Sequence, residues 1–137
     1  MYSTLRTSLA LTLLSSLGVL VSASTASASA PVSISDCGTL KVAPSSLVIS
    51  CADANRSITD IKWTNWGQAV AQGKGMLNWN TCTPTCVSGT YRHQSLTFRA
   101  QRRGTRGAHV LYLELSGPKG AFGTAGTTWT LTTPHAG

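Results

Sequence analysis

The residues able to do chemistry are few, and their spacing sets what they could do. The four cysteines, Cys37, Cys51, Cys82 and Cys86, come first. An even number in an exported chain reads as two disulfides, with three pairings open. Cys37–Cys51 and Cys82–Cys86 are favoured because each is local and brackets turn-like residues. Cys82-Thr83-Pro84-Thr85-Cys86 has a zinc-knuckle spacing, but no second close pair follows, so a tight covalent loop is expected. A redox pair would carry two residues between its cysteines and open a helix. No cofactor is expected, and no metal.

Catalytic groups are sparse. The acidic residues are Asp36, Asp53, Asp60 and Glu114, and Asp53 with Asp60 is the one close pair, both in turn-like positions. Two-carboxylate chemistry on sugars has little to draw on. His93, His109 and His135 could serve as bases, and His93 and His109 could face one another across a hairpin, yet nothing marks a nucleophile. A weak hydrolase is therefore the least supported function.

Charge is more informative. The chain carries a formal +7, and +6 from residue 31 onward, where ten lysines and arginines face four acids. Arg99, Arg102, Arg103 and Arg106 concentrate around one predicted hairpin, a candidate anion-binding patch. Its expected partner is an anionic cell-envelope polymer or an acidic secreted protein. Specific nucleic-acid recognition is not expected. Trp66, Trp79 and Tyr91 form a candidate aromatic surface, with Trp63 and Trp129 assigned to the core. A second function class is a proteinaceous inhibitor of a secreted hydrolase, acting through the disulfide-pinned loop 82–89.

These residues need a scaffold. Leu9 to Val21 is a 13-residue apolar run after a single arginine, followed by Ala-x-Ala frames at Ala26/Ala28 and Ala28/Ala30. This is signal-peptide patterning, too short to span a bilayer as an anchor. Residues 1–30 are assigned to a signal peptide cut after Ala30, with Ala28 as second choice. Residues 31–137 are expected to form a single secreted domain with no transmembrane segment.

That domain reads as all-β, because short runs alternate with period two and helical spacing is missing. Strands are expected at 47–51, at 58–63 with a bulge or change of face near Thr59, and at 75–79 as a short edge. Others are expected at 92–101, at 108–115 as a central strand, and at 128–132. Residues 102–107 are expected to form the hairpin turn, and 67–75 a glycine-flanked connection with one helical turn over 68–71. The predicted architecture is a small disulfide-bonded β-sandwich, with a small barrel as the alternative.

The segments Leu47-Val48-Ile49-Ser50-Cys51-Ala52-Asp53-Ala54-Asn55, Trp63-Thr64-Asn65-Trp66-Gly67, Ala71-Gln72-Gly73-Lys74-Gly75 and Cys82-Thr83-Pro84-Thr85-Cys86-Val87-Ser88-Gly89 occur in that order. Together they resemble uncharacterised small secreted proteins of high-GC Gram-positive bacteria, over roughly residues 47–115. The resemblance implies compartment and organism type; it implies no enzyme class and no functional residues.

Overall fold

The computed structural model describes residues 30–131. The signal-peptide assignment, His135 and the end of the predicted 128–132 strand lie outside the described residues. Eight strands form: β1 (Val32–Asp36), β2 (Thr39–Lys41), β3 (Leu47–Val48), β4 (Arg56–Thr64), β5 (Ala71–Asn80), β6 (Tyr91–Arg106), β7 (His109–Ser116) and β8 (Thr128–Thr130). All belong to one sheet in the order β2-β1-β7-β6-β5-β4-β3, with β8 also on β7. The domain is all-β and held by two disulfides, and its open sheet curls into half a barrel around the core.

β7 is central. One edge pairs with β6; the other is shared between β1, parallel along 110–112, and β8, antiparallel along 114–116. Its adjacent residues Leu111 and Tyr112 point to opposite faces and are both buried, which fits its near-continuous apolar run. On β6 the alternation is regular, with Leu96, Phe98 and Ala100 buried and Ser95, Thr97 and Arg99 exposed. On β4 the register shifts between Thr59 and Lys62, where Asp60 adopts φ 53°. A regular strand would place Ile58 and Ile61 on opposite faces; the irregularity lets both be buried.

The two edges of the sheet are tied by side chains instead of a strand ladder. Cys37, in the β1–β2 turn, is bonded to Cys51 beyond β3. The Asp36 carboxylate accepts the Val48 N–H at 2.8 Å and pairs with Lys41 at 2.5 Å. The Trp66 indole donates to the Val32 carbonyl at 2.9 Å, and Trp63 to that of Pro44 at 2.8 Å. Trp63 meets Trp66 and Phe98 edge to face, with centroids 4.7 and 5.2 Å apart, which locks the closure to the core.

Several expectations are corrected. Residues 71–80 form a ten-residue strand between β4 and β6, where a loop and an edge strand were expected. No helical turn forms over 68–71. The glycines are the reason: a Cβ on Gly73 would sit 2.5 Å from Phe98 Cζ, and one on Gly75 2.6 Å from the Thr59 carbonyl oxygen. Both are close-packing positions within a strand. The turn expected at 102–107 is strand through Arg106, and the chain reverses at Gly107-Ala108, with Gly107 at φ 55°. The 47–51 run pairs only through Leu47 and Val48, and β1 and β2 were not anticipated.

Candidate functional site

The outward face of β4, β5 and β6 is built by alternation. Phe98 and Gly73 point inward, so their neighbours Thr97, Arg99, Gln72 and Lys74 point out. Register then aligns them in rows. One runs Lys62–Lys74–Thr97; the next runs Thr64–Gln72–Arg99–Ser116–Thr128 across five strands. With strands about 4.8 Å apart, that second row is about 19 Å long, and the rows lie about 7 Å apart. Thr64, Lys62, Gln72, Lys74, Thr97 and Arg99 are all exposed.

Lys62 and Lys74 stand directly opposite one another. Such pairs hold their Cβ atoms about 5 Å apart, and like charges there are destabilising. No ion pair among the described residues involves Lys62, Lys74 or Arg99; those of Lys41–Asp36 and Arg102–Glu114 lie elsewhere. Gln72 lines three adjoining hollows on this face, one with Lys62 and Lys74, one with Arg99 and Gln101, one with Arg99 and Ser116. The result is a shallow, hydroxyl- and amide-rich surface with three unneutralised cations.

The four hairpin arginines are all exposed but do not form one cluster. Arg99 belongs to the face just described. Arg102, at φ 54°, reaches Glu114 at 3.3 Å. Arg103 donates to the Gly67 carbonyl at 3.0 Å, and Arg106 stands opposite His109 beside the turn. The Gln101 amide at 2.7 Å, and then Arg102, hold the Glu114 carboxyl below its ordinary pKa.

The aromatic candidates also separate. Trp66 is half-buried against Trp63 and Tyr112 in the β4–β5 loop. Trp79 lies at the far end of β5, about 26 Å along the strand from Ala71. There the inner face carries the cross-strand row Arg56–Trp79–Arg92, with the Arg56 guanidinium 5.7 Å from the indole centroid. Tyr91 is 51% exposed and by alternation points to the outer face.

The histidines and carboxylates do not assemble. His93 pairs in register with Asn78, its Nδ1 2.5 Å from the amide oxygen, whereas His109 sits at the hairpin turn, so the two do not face each other. The Asp53 carboxyl is held low first by the Asn55 N–H, then by the Ser50 hydroxyl and the Asn55 amide. Among the described residues no group of three or more His, Cys, Asp and Glu side chains could hold a metal ion. No helix among them is long and apolar enough to cross a membrane.

The disulfides are Cys37–Cys51 and Cys82–Cys86, the favoured pairing. Residues 83–88 are exposed, yet their backbone is pinned: Asn80 accepts the Cys82 N–H and donates to the Cys86 carbonyl, at 2.9 and 2.8 Å. Sequence reasoning missed Lys62 and Lys74 as a pair, because Lys74 between two glycines reads as loop. The alternation of Trp63 with its neighbours was the available signal for Lys62. Comparison with protein-family models, with curated proteins and with solved structures finds no match to this chain.

Proposed function

We propose that the chain is a non-catalytic binding domain, acting outside the cell, whose outer sheet face engages an anionic envelope polymer. The observation that carries this reading is the unneutralised Lys62–Lys74 pair with Arg99 beside it on an exposed polar surface. Holding two ammonium groups opposite one another costs stability in the free domain. An anion placed between them removes that cost and adds charge-assisted hydrogen bonds. Regular rows suit a repeating polymer, because the longer row offers the Thr64, Ser116 and Thr128 hydroxyls and the Gln72 amide at the spacing of the strands. Arg102, Arg103 and Arg106 add to the long-range field without being at the contact.

The test is retention on immobilised poly(glycerol phosphate) at low and physiological salt. The unaltered domain is expected to bind, and a variant with Lys62→Ser, Lys74→Ser and Arg99→Ser to be lost. A variant with Arg102→Ser and Arg106→Ser should bind nearly as well as the parent. Equal retention of all three would sink the outer-face reading.

A second reading, inhibition of a secreted hydrolase, is favoured by one observation. Val87 is fully exposed, at 101%, on the pinned 82–89 loop. An apolar side chain presented on a preorganised loop loses little entropy on docking. Loss of inhibition of a secreted hydrolase in Val87→Ser, with polymer binding intact, would support it.

A further inference from the structure

We infer a second binding site, on the inner face at the opposite end of β5, for a small anion built on a ring, such as a sugar acid. A cleft of about 300 Å³ opens there between the β5–β6 ladder and the 118–121 loop. Its floor is Leu77 and Leu96, both nearly fully buried. Trp79 forms an apolar wall, and Arg56, Gln94 and Lys119 supply the polar groups.

Each part is held in place. Arg56 lies over the Trp79 ring and donates to the Ala121 carbonyl at 3.0 Å, so one guanidinium edge is fixed and its other donors remain. A Cβ on Gly123 would come within 3.2 Å of the Arg56 side chain, so the loop packs closely on it. Register places Arg92 beside Trp79 on the same face. Arg56 and Lys119 thus line the cleft with the indole, Arg92 is its cross-strand neighbour, and no acidic residue lines the cleft.

That combination selects a ligand class. The indole and leucine surfaces match the apolar C–H face of a pyranose ring, and Gln94 can both donate and accept from a hydroxyl. Arg56 and Lys119 match a carboxylate. Open ends of curled sheets are a common place for such sites. The site is distinct from the polymer face: its floor is the inner side of the sheet, and none of Lys62, Lys74 and Arg99 lines it.

The experiment is a two-dimensional amide NMR titration of the oxidised domain with trigalacturonate, and with its methyl ester as the uncharged control. Saturable shifts are expected at the Trp79 indole N–H and the Gln94 side-chain amide, with a dissociation constant below about 10 mM. The ester and the exposed-site variant Lys119→Ser should each bind at least about tenfold more weakly. Lys62→Ser with Lys74→Ser should leave the titration unchanged. Absence of saturable shifts, equal binding of the ester, or shifts confined to Lys62, Lys74 and Arg99 would overturn the inference.

Discussion

Replacing Gly73 by alanine should cost the domain about 1–2 kcal/mol. The added Cβ would lie 2.5, 2.8 and 3.0 Å from Phe98 Cζ, Cε1 and Cε2, against an ordinary carbon contact of about 3.5–4.0 Å. Phe98 cannot retreat. It is 1% exposed and boxed in by Trp63 and Phe122, with ring centroids 5.2 and 6.5 Å away. Overpacking of this kind costs about 1–3 kcal/mol, offset by about 0.4–1 kcal/mol from the stiffer unfolded chain. At about 4–8 °C per kcal/mol for a domain of this size, the melting temperature should fall by about 5–15 °C. Calorimetry with near-ultraviolet circular dichroism reads this directly. Gly107→Ala is the control: its Cβ would meet nothing within 4 Å, and only its left-handed φ of 55° opposes the change. That strain costs about 1–2 kcal/mol without touching the core. In the control the near-ultraviolet signal should stay native, whereas Gly73→Ala should alter it through Trp63 and Phe98. An unchanged or raised melting temperature in Gly73→Ala would refute the placement of β5 over Phe98.

Three further outcomes follow from the same geometry. Removing Cys37–Cys51, which closes the longer loop and ties the sheet edges, should cost about 3 kcal/mol, and removing Cys82–Cys86 about 2 kcal/mol; denaturant melts of the two double-serine variants give the order. Tyr112→Phe should cost about 1–3 kcal/mol, because the buried hydroxyl accepts from Gly67 N–H at 3.0 Å and donates to the Gln68 carbonyl at 2.7 Å; a loss under a few tenths in the same melts would contradict those bonds. The depressed pKa of Glu114 means the folded state binds its proton less readily than the unfolded chain, so its stabilisation is present at neutral pH and fades as pH falls through its lowered value; Glu114→Gln should flatten the acid limb of melting temperature against pH, and an unchanged limb would count against the Gln101 and Arg102 contacts.

How much of this was legible in the sequence depended on how local the cause was. The β6 alternation, the irregularity near Thr59, the central character of β7 and the favoured disulfide pairing all rest on neighbouring residues, and all are present in the fold. Only the 75–79 half of β5 was legible; its start at Ala71 was not, because Gly73 and Gly75 are required by Phe98 and by Thr59, which are distant in sequence. Gly104 misled in the same way: its missing side chain makes room for Leu113, 2.6 Å from where a Cβ would be, instead of marking the turn. The arginine patch was a one-dimensional cluster. Sixteen residues of β6 spread it along the sheet, and Glu114 and the Gly67 carbonyl engage two of its members. Lys62 and Lys74 became a pair only through register. The sandwich and barrel readings shared a correct premise, short strands packing apolar side chains onto one core, and differed only in closure, which here is made by Cys37–Cys51, Asp36 and Trp66.

The central claim is that Lys62, Lys74 and Arg99 act together on an anionic polymer. Its most direct test is the salt dependence of affinity for poly(glycerol phosphate), measured by titration calorimetry on the parent and on the triple serine variant. Three phosphate contacts at about 0.7 released counterions each predict a slope of about −2 in log K against log salt for the parent. The variant should bind too weakly to measure or show a slope near zero. A parent affinity that ignores salt, or a variant with the parent's slope, would contradict the account.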